Sequence, residues 1–149
     1  MPIVNGINVE PYSNLSGVDL SGVDLSGLNL TGINFTSAIL SGTDFTGTIL
    51  SGTNFSSANL YNANFYGAYI NNVDFSEAFL ANTSFYISSI HSGTDFSNAV
   101  LTNSNLCFVS YYIGDHEEGF PMYSRATNET PIMLTNDFLH LSNYTLLFI

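Results

Sequence analysis

Large apolar side chains recur at every fifth position along most of this chain, and that spacing organises everything else in it. The series runs Leu15, Leu20, Leu25, Leu30, Phe35, Leu40, Phe45, Leu50, Phe55, Leu60, Phe65, Ile70, Phe75, Leu80, Phe85 and Ile90. One residue is then inserted, and the series resumes at Phe96, Leu101 and Leu106. Two positions before each large residue stands a small or β-branched one, such as Val18, Val23, Ala38, Thr43, Ala58, Ala63 or Ala78. Between them Asn or Asp occupies most units, among them Asn14, Asp19, Asp24, Asn34, Asp44, Asn54, Asn64, Asp74 and Asp95. Ser or Thr usually follows the large residue, and Gly, Asn or Ser comes next.

A period of five suits neither a helix nor a long strand. The small–polar–large triplet reads as one short extended segment whose first and third side chains point the same way. The pair after it reads as a turn, because Gly and Asn accept positive φ at little cost. Four segments and four turns would close a square coil of about twenty residues, a repeat length typical of stacked architectures. Every twentieth residue sorts accordingly. Leu15, Phe35, Phe55, Phe75 and Phe96 form one column; Leu20, Leu40, Leu60, Leu80 and Leu101 form the next. The third is Leu25, Phe45, Phe65, Phe85 and Leu106, and the fourth is Leu30, Leu50, Ile70 and Ile90. Phe-rich and aliphatic faces therefore alternate around the square, as like-on-like stacking of coils requires.

These units resemble the pentapeptide-repeat family, whose motif is small–(Asn/Asp)–(Leu/Phe)–X–X. The resemblance covers roughly two thirds of the chain and implies an all-β fold, a right-handed quadrilateral β-helix of about five coils. At about 4.8 Å per coil the rod would stand about 24 Å tall. The expected organisation is an N-terminal cap over residues 1–12, a solenoid over 13–109 and a C-terminal packing segment over 110–149. That last segment reads equally as a partial last coil, a short helix from about Asn136, or an arm onto a neighbouring subunit.

The departures from the repeat carry the functional information. The inserted residue falls within His91-Ser92-Gly93 and reads as a corner bulge, a surface insertion in preference to a recognition loop carrying His91. On the Phe-rich faces the outward position stays polar. On the aliphatic faces it drifts to Ile39, Phe79 and Val100, or to Ile49 and Tyr69. Tyr61, Tyr66 and Tyr86 add outward rings, and the Leu146-Leu147-Phe148-Ile149 run must be buried against this chain or another. Clustered outward apolar side chains mark contact surfaces or ground covered by the protein's own tail.

Composition narrows the partners. The chain of 149 residues has a single basic residue, Arg125, against twelve acids, for a net charge of −11. With no cations to displace counterions, nucleic acid and anionic membrane surfaces are excluded as electrostatic partners. Cys107 is the sole cysteine, so neither an internal disulfide nor a cysteine-based metal site is expected. The beginning of the sequence lacks the basic and apolar regions of a signal peptide, and no stretch approaches a membrane span. The expected location is cytoplasmic or within a particle.

No catalytic constellation is present. His91, His116 and His140 are scattered, Cys107 lacks an activating neighbour, and Asp115-His116-Glu117-Glu118 reads as a solvated acidic loop before a metal site. No cofactor, no metal and no enzymatic activity are expected. The sequence points to a structural or protein–protein interaction module, packing through side faces and apolar ends with a protein partner or neighbouring subunits as a homo- or hetero-oligomer. A component of a virus particle or filament fits this reading. The family resemblance implies an alternative, because some relatives mimic duplex DNA and bind type II topoisomerases such as gyrase. This chain shares their acidity but places Glu10, Asp115, Glu117, Glu118, Glu129 and Asp137 outside the repeat.

Overall fold

The computed structural model describes residues 3–91 and 93–106, together with the backbone of 110–113 and 116–117. Within it, isolated parallel bridges join residues twenty apart: Asn14 to Asn34, Asp19 to Ile39, Asp24 to Asp44, Asn29 to Ile49, and so on up the stack. Each outward residue thus stands directly over the outward residue of the coil before. The hydrogen bonds follow a fixed scheme. Phe35 N–H donates to the Asn54 carbonyl at 2.7 Å, Asn54 N–H donates back to Ile33 at 2.9 Å, and Ser37 N–H donates to Ser56 at 3.0 Å. Each face of a coil therefore hands its backbone donors to the coils above and below, which satisfies polar groups that a dry interior would otherwise strand.

Corners are made by four-residue turns. Val18 N–H closes on the Leu15 carbonyl at 3.2 Å, and Ala38 N–H closes on Phe35 at 3.0 Å. The third turn residue has positive φ at every corner, at Gly17, Gly22, Gly27 and Gly32 in the first coil and at Asn62, Asn72, Asn82, Asn98 and Asn103 higher up. Gly, and next to it Asn, is the residue that tolerates this conformation.

The interior is the set of four columns. Leu20, Leu25, Leu30, Phe35, Leu40, Phe45, Leu50, Phe55, Leu60, Phe65, Ile70, Phe75, Leu80, Phe85 and Leu101 are fully buried. The small positions line it as well, with Ala38, Ala58, Ala68, Val73 and Ala78 buried beside them. Phenylalanines of one column stack face to face, as Phe45 and Phe65 do at 4.7 Å with planes 3° apart. Across the square they meet edge to face, as Phe65 and Phe75 do at 5.6 Å and 88°. Buried hydroxyls at the small position bond backbone: Thr43 Oγ1 donates to the Leu20 carbonyl and Thr53 Oγ1 to the Leu30 carbonyl, each at 2.8 Å, so both link successive coils.

At the N-terminal end β1 (Ile3–Val4) and β2 (Ile7–Asn8) form an antiparallel hairpin. Its turn residues Asn5 and Gly6 have φ of 50° and 78°, the paired positive values that an Asn-Gly hairpin turn adopts. Val9 is fully buried, and Val4 and Ile7 pack on the core beside the half-buried Leu15, Val18, Val23 and Leu28 of the first coil.

The fourth face ends in a small sheet. β3 (Tyr69–Ile70) pairs in parallel with β4 (Ser89–His91), which pairs in parallel with β5 (Ser110–Ile113); β5 then turns back into antiparallel β6 (His116–Glu117). The parallel ladder thus continues past residue 109, where the side-chain repeat fades, through Tyr112. The inserted residue is absorbed at the corner after β4. Ile70 pairs with Ile90 but Asp74 pairs with Asp95, so the spacing changes from twenty to twenty-one between them. Gly93 there has φ of 87°, and a β-carbon on it would lie 2.0 Å from Asn72 Oδ1. Residues 118–149, and with them the alternatives of a last coil, a helix from Asn136 or an intersubunit arm, lie outside the described residues.

Candidate interaction surfaces

The outward residue of each triplet has two environments. On the Phe-rich faces it is Asn or Asp, with Ser84 the exception among the described residues, and its side-chain oxygen serves the next corner. Asn34 Oδ1 accepts the Thr36 N–H at 3.0 Å and the Thr36 hydroxyl at 2.6 Å. Asn54, Asp74 and Asp95 accept the N–H two residues on, from Ser56, Ser76 and Ser97, each at 2.8 Å. Such local bonds reproduce a turn in side-chain form and hold each corner. The ladders also join coils: Asn34 Nδ2 donates to Asn14 Oδ1 at 3.0 Å. Sequence reasoning identified these positions as outward and polar but missed that they brace the corners; the signal was the Ser or Thr two residues after most of them.

On the aliphatic faces the same position mixes polar residues, Asp19 and Asn59 on one and Asn29 and Ser89 on the other, with apolar ones open to solvent. Ile39 is 44% exposed, Phe79 42% and Val100 36% on the second face, with Tyr61 stacked on Phe79 at 6.1 Å. The Tyr61 hydroxyl accepts from Asn82 Nδ2 at 3.0 Å. Ile49 and Tyr69 sit one over the other on the fourth, opposite face, both exposed, and Tyr69 lies against the His91 ring at 4.5 Å. Tyr66 and Tyr86 lie against each other at the corner leading onto that face, 5.8 Å apart and tilted by 31°; Tyr66 is exposed and Tyr86 half-buried. The candidates therefore fall into two patches on opposite sides of the rod. Leu146, Leu147, Phe148 and Ile149 lie outside the described residues, as do Cys107, Asp115, Glu118 and His140; the side chains of His116 and Glu117 are likewise not described.

One member of the second patch was missed. Ile87 follows Tyr86, is 46% exposed, and holds φ of 60° at the position where the coils below place Gly47 and Gly67. A β-branched residue in the left-handed region is a conformational outlier. Its signal was visible as Tyr86-Ile87 standing where the motif has Ser/Thr and Gly.

Charge is spread over several faces. Asp74 and Asp95 share the first face, Asp24 and Asp44 the third, Asp19 lies on the second, and Glu77 sits at a corner. The Ser21 hydroxyl, and after it the Ser21 N–H, hold the Asp19 carboxyl below its ordinary value; Ser26 does the same for Asp24. Burial lowers the His91 imidazole. Among the described residues no group of three His, Cys, Asp or Glu side chains is placed to hold a metal ion, and no helix is long and apolar enough to cross a membrane.

This geometry defines an all-β solenoid, a right-handed quadrilateral β-helix. The family model for pentapeptide repeats matches residues 13–52, 38–76 and 48–85, and the chain belongs to the pentapeptide-repeat proteins. Solved structures of the same kind resemble it. A pentapeptide-repeat protein of the Arabidopsis thaliana thylakoid lumen is 29% identical, with 64% of this chain and 69% of that one covered and a TM-score of 0.48. One from Nostoc is 23% identical over 70% of this chain and 69% of its own, with a TM-score of 0.41. The plasmid-mediated fluoroquinolone resistance protein QnrB1 is 18% identical over 77% of this chain and 66% of its own, with a TM-score of 0.47. No curated protein matches the sequence significantly.

Proposed function

We propose that this protein is a non-enzymatic interaction module that packs into a larger assembly through its two aliphatic side faces. The observation that carries this reading is the segregation of exposed apolar side chains. Ile39, Phe79 and Val100 on one side, and Ile49 and Tyr69 on the other, stand where the Phe-rich faces keep Asn, Asp or Ser. Apolar side chains gathered on a surface otherwise polar mark a contact that removes them from water. The partner is a protein, either a neighbouring copy or another subunit.

Light scattering on the purified chain at rising concentration, and affinity purification with wild-type and face variants, test this. Phe79→Asp with Val100→Asp should abolish the association seen with wild type, while Asn54→Asp on a Phe-rich face should leave it intact. Association that survives charges on both aliphatic faces would remove the reading. A DNA-mimicking regulator of a type II topoisomerase is the other reading that the family brings. The spread of Asp19, Asp24, Asp44, Asp74, Glu77 and Asp95 over three faces and a corner gives it no phosphate-like stripe among the described residues. A gyrase supercoiling assay at high molar excess separates the two.

A further inference from the structure

The patch on the fourth face differs from that on the second in one respect: the chain itself returns to it. Every coil crosses this face from the Tyr66–Tyr86 corner toward the His91 corner, and β5 runs the same way because it is parallel to β4. β6 is antiparallel to β5, with Ile113 opposite His116 and Tyr112 opposite Glu117, so the backbone leaves Glu117 heading back toward the tyrosine corner. In the order β3-β4-β5-β6, β6 lies two strand spacings beyond β4, about 10 Å from the level of Tyr86 and Ile87. Ten extended residues reach about 33 Å, so distance places no obstacle in the way of residues 118–149.

We infer that the C-terminal segment of the same chain, through Leu146-Leu147-Phe148-Ile149, docks on the patch formed by Tyr66, Ile87, Ile49 and Tyr69. The chemistry of the two parts agrees. The segment carries an apolar run of four residues and Arg125, the chain's one basic side chain. The described solenoid carries acids and no Lys or Arg, so the segment brings a charge that a second solenoid lacks. Ile87 adds a separate argument. Its positive φ is a strained choice where Gly47 and Gly67 are unstrained, and a β-carbon at Gly67 meets nothing within 4 Å, so the side chain fills no internal gap. An exposed isoleucine kept in that conformation serves a contact made from outside the coil.

The inference rests on reading the aliphatic faces as contact surfaces and narrows that reading: the fourth face takes the chain's own tail, and only the second is left to a partner. It is testable because Arg125 is the only tryptic site: digestion yields residues 1–125 and 126–149. A photoreactive benzoylphenylalanine replaces Tyr69 in the full chain, which is irradiated at high dilution, denatured and digested. The two fragments should remain joined. A probe at Phe79 on the opposite face should let them separate. Ile87→Asn and Phe148→Asp should each reduce the joined product several-fold, and the former places there a residue type that holds positive φ at the equivalent turn position of other corners, as Asn82 and Asn98 do. Separation of the fragments with the Tyr69 probe, or joining with the Phe79 probe alone, overturns the inference. So does capture of the 126–149 fragment from an isotopically labelled second copy in an equimolar mixture. Loss of association in Phe79→Asp with Val100→Asp reads the second face independently, so the two readings fail separately.

Discussion

Phe65 offers the sharpest test of what the phenylalanine columns add beyond burial. It stacks on Phe45 at 4.7 Å and on Phe85 at 5.0 Å, and meets Phe55 and Phe75 edge to face at 5.9 and 5.6 Å. Phe35 is equally buried, at 0% exposure, but its ring partners are Phe55 at 5.2 Å and Phe45 at 6.4 Å. Replacing either by leucine removes similar buried area and leaves a similar void, so those terms cancel in the comparison. What differs is two further ring pairs at Phe65. Each such pair contributes about 0.5–1.5 kcal/mol beyond area, so Phe65→Leu should cost about 1–3 kcal/mol more than Phe35→Leu. Urea unfolding followed by circular dichroism measures this, using the midpoint and the m-value. An end coil can fray separately in a solenoid, so the comparison holds where both variants keep the wild-type m-value. Equal destabilisation within about 0.5 kcal/mol, the low end of what a single ring pair contributes, would refute the stacking argument.

Thr53→Val should cost about 1 kcal/mol in the same assay, because it deletes a buried hydroxyl bond to the Leu30 carbonyl without changing shape. Stability should fall as pH drops from about 6.5, since burial lowers the folded His91 imidazole and the unfolded chain takes up the proton first; His91→Gln should flatten that part of the profile. A second loss should begin below about pH 4. There the lowered Asp19 and Asp24 carboxyls, which stabilise the fold while ionised, take up protons first in the unfolded chain, and Asp19→Asn should shrink the step in an acid titration. Ile39→Asp should raise stability by about 0.5–1 kcal/mol by restoring an acceptor for the Ser41 N–H, while light scattering or affinity purification shows weakened association.

Much of this fold is legible because its columns repeat at a period that no helix or long strand produces. Phe35, Phe55 and Phe75 fall in one column by counting alone, and the structure stacks them at 5.2 Å. Features that depend on single residues were harder to see. The hairpin at Asn5-Gly6 has the strongest short-range turn signal in the chain, yet its strands are two residues each and show no alternation. Ser110–Ile113 lacks the small–polar–large triplet, and its place is set by backbone pairing with β4 instead of by side-chain pattern. The outward residues Ile39, Ile49, Tyr61, Tyr66, Tyr69, Phe79 and Val100 could be placed because the repeat assigns each position a direction. Ile87 was missed although it stands where the motif has Gly, because its exposure follows from a β-branched side chain held at positive φ, which the repeat does not lead one to expect.

The cost structure of the repeat explains why its outward positions are informative. An Asn or Asp there supplies an oxygen to the N–H two residues on, as Asn54 does for Ser56 and Asp95 for Ser97. Isoleucine, phenylalanine or valine in that place has no such oxygen, so the corner after it gives up a brace worth about 1 kcal/mol. The same substitution sets an apolar side chain in water, where Ile39 and Phe79 remain more than two fifths exposed. Neither change helps the coil. The core beneath is the same leucine column whether the outward residue is Asp19, Ile39, Asn59 or Phe79. Two separate losses at the same positions, on the same faces, with nothing gained inside, are what the proposed role of those faces in contacts beyond the coils predicts.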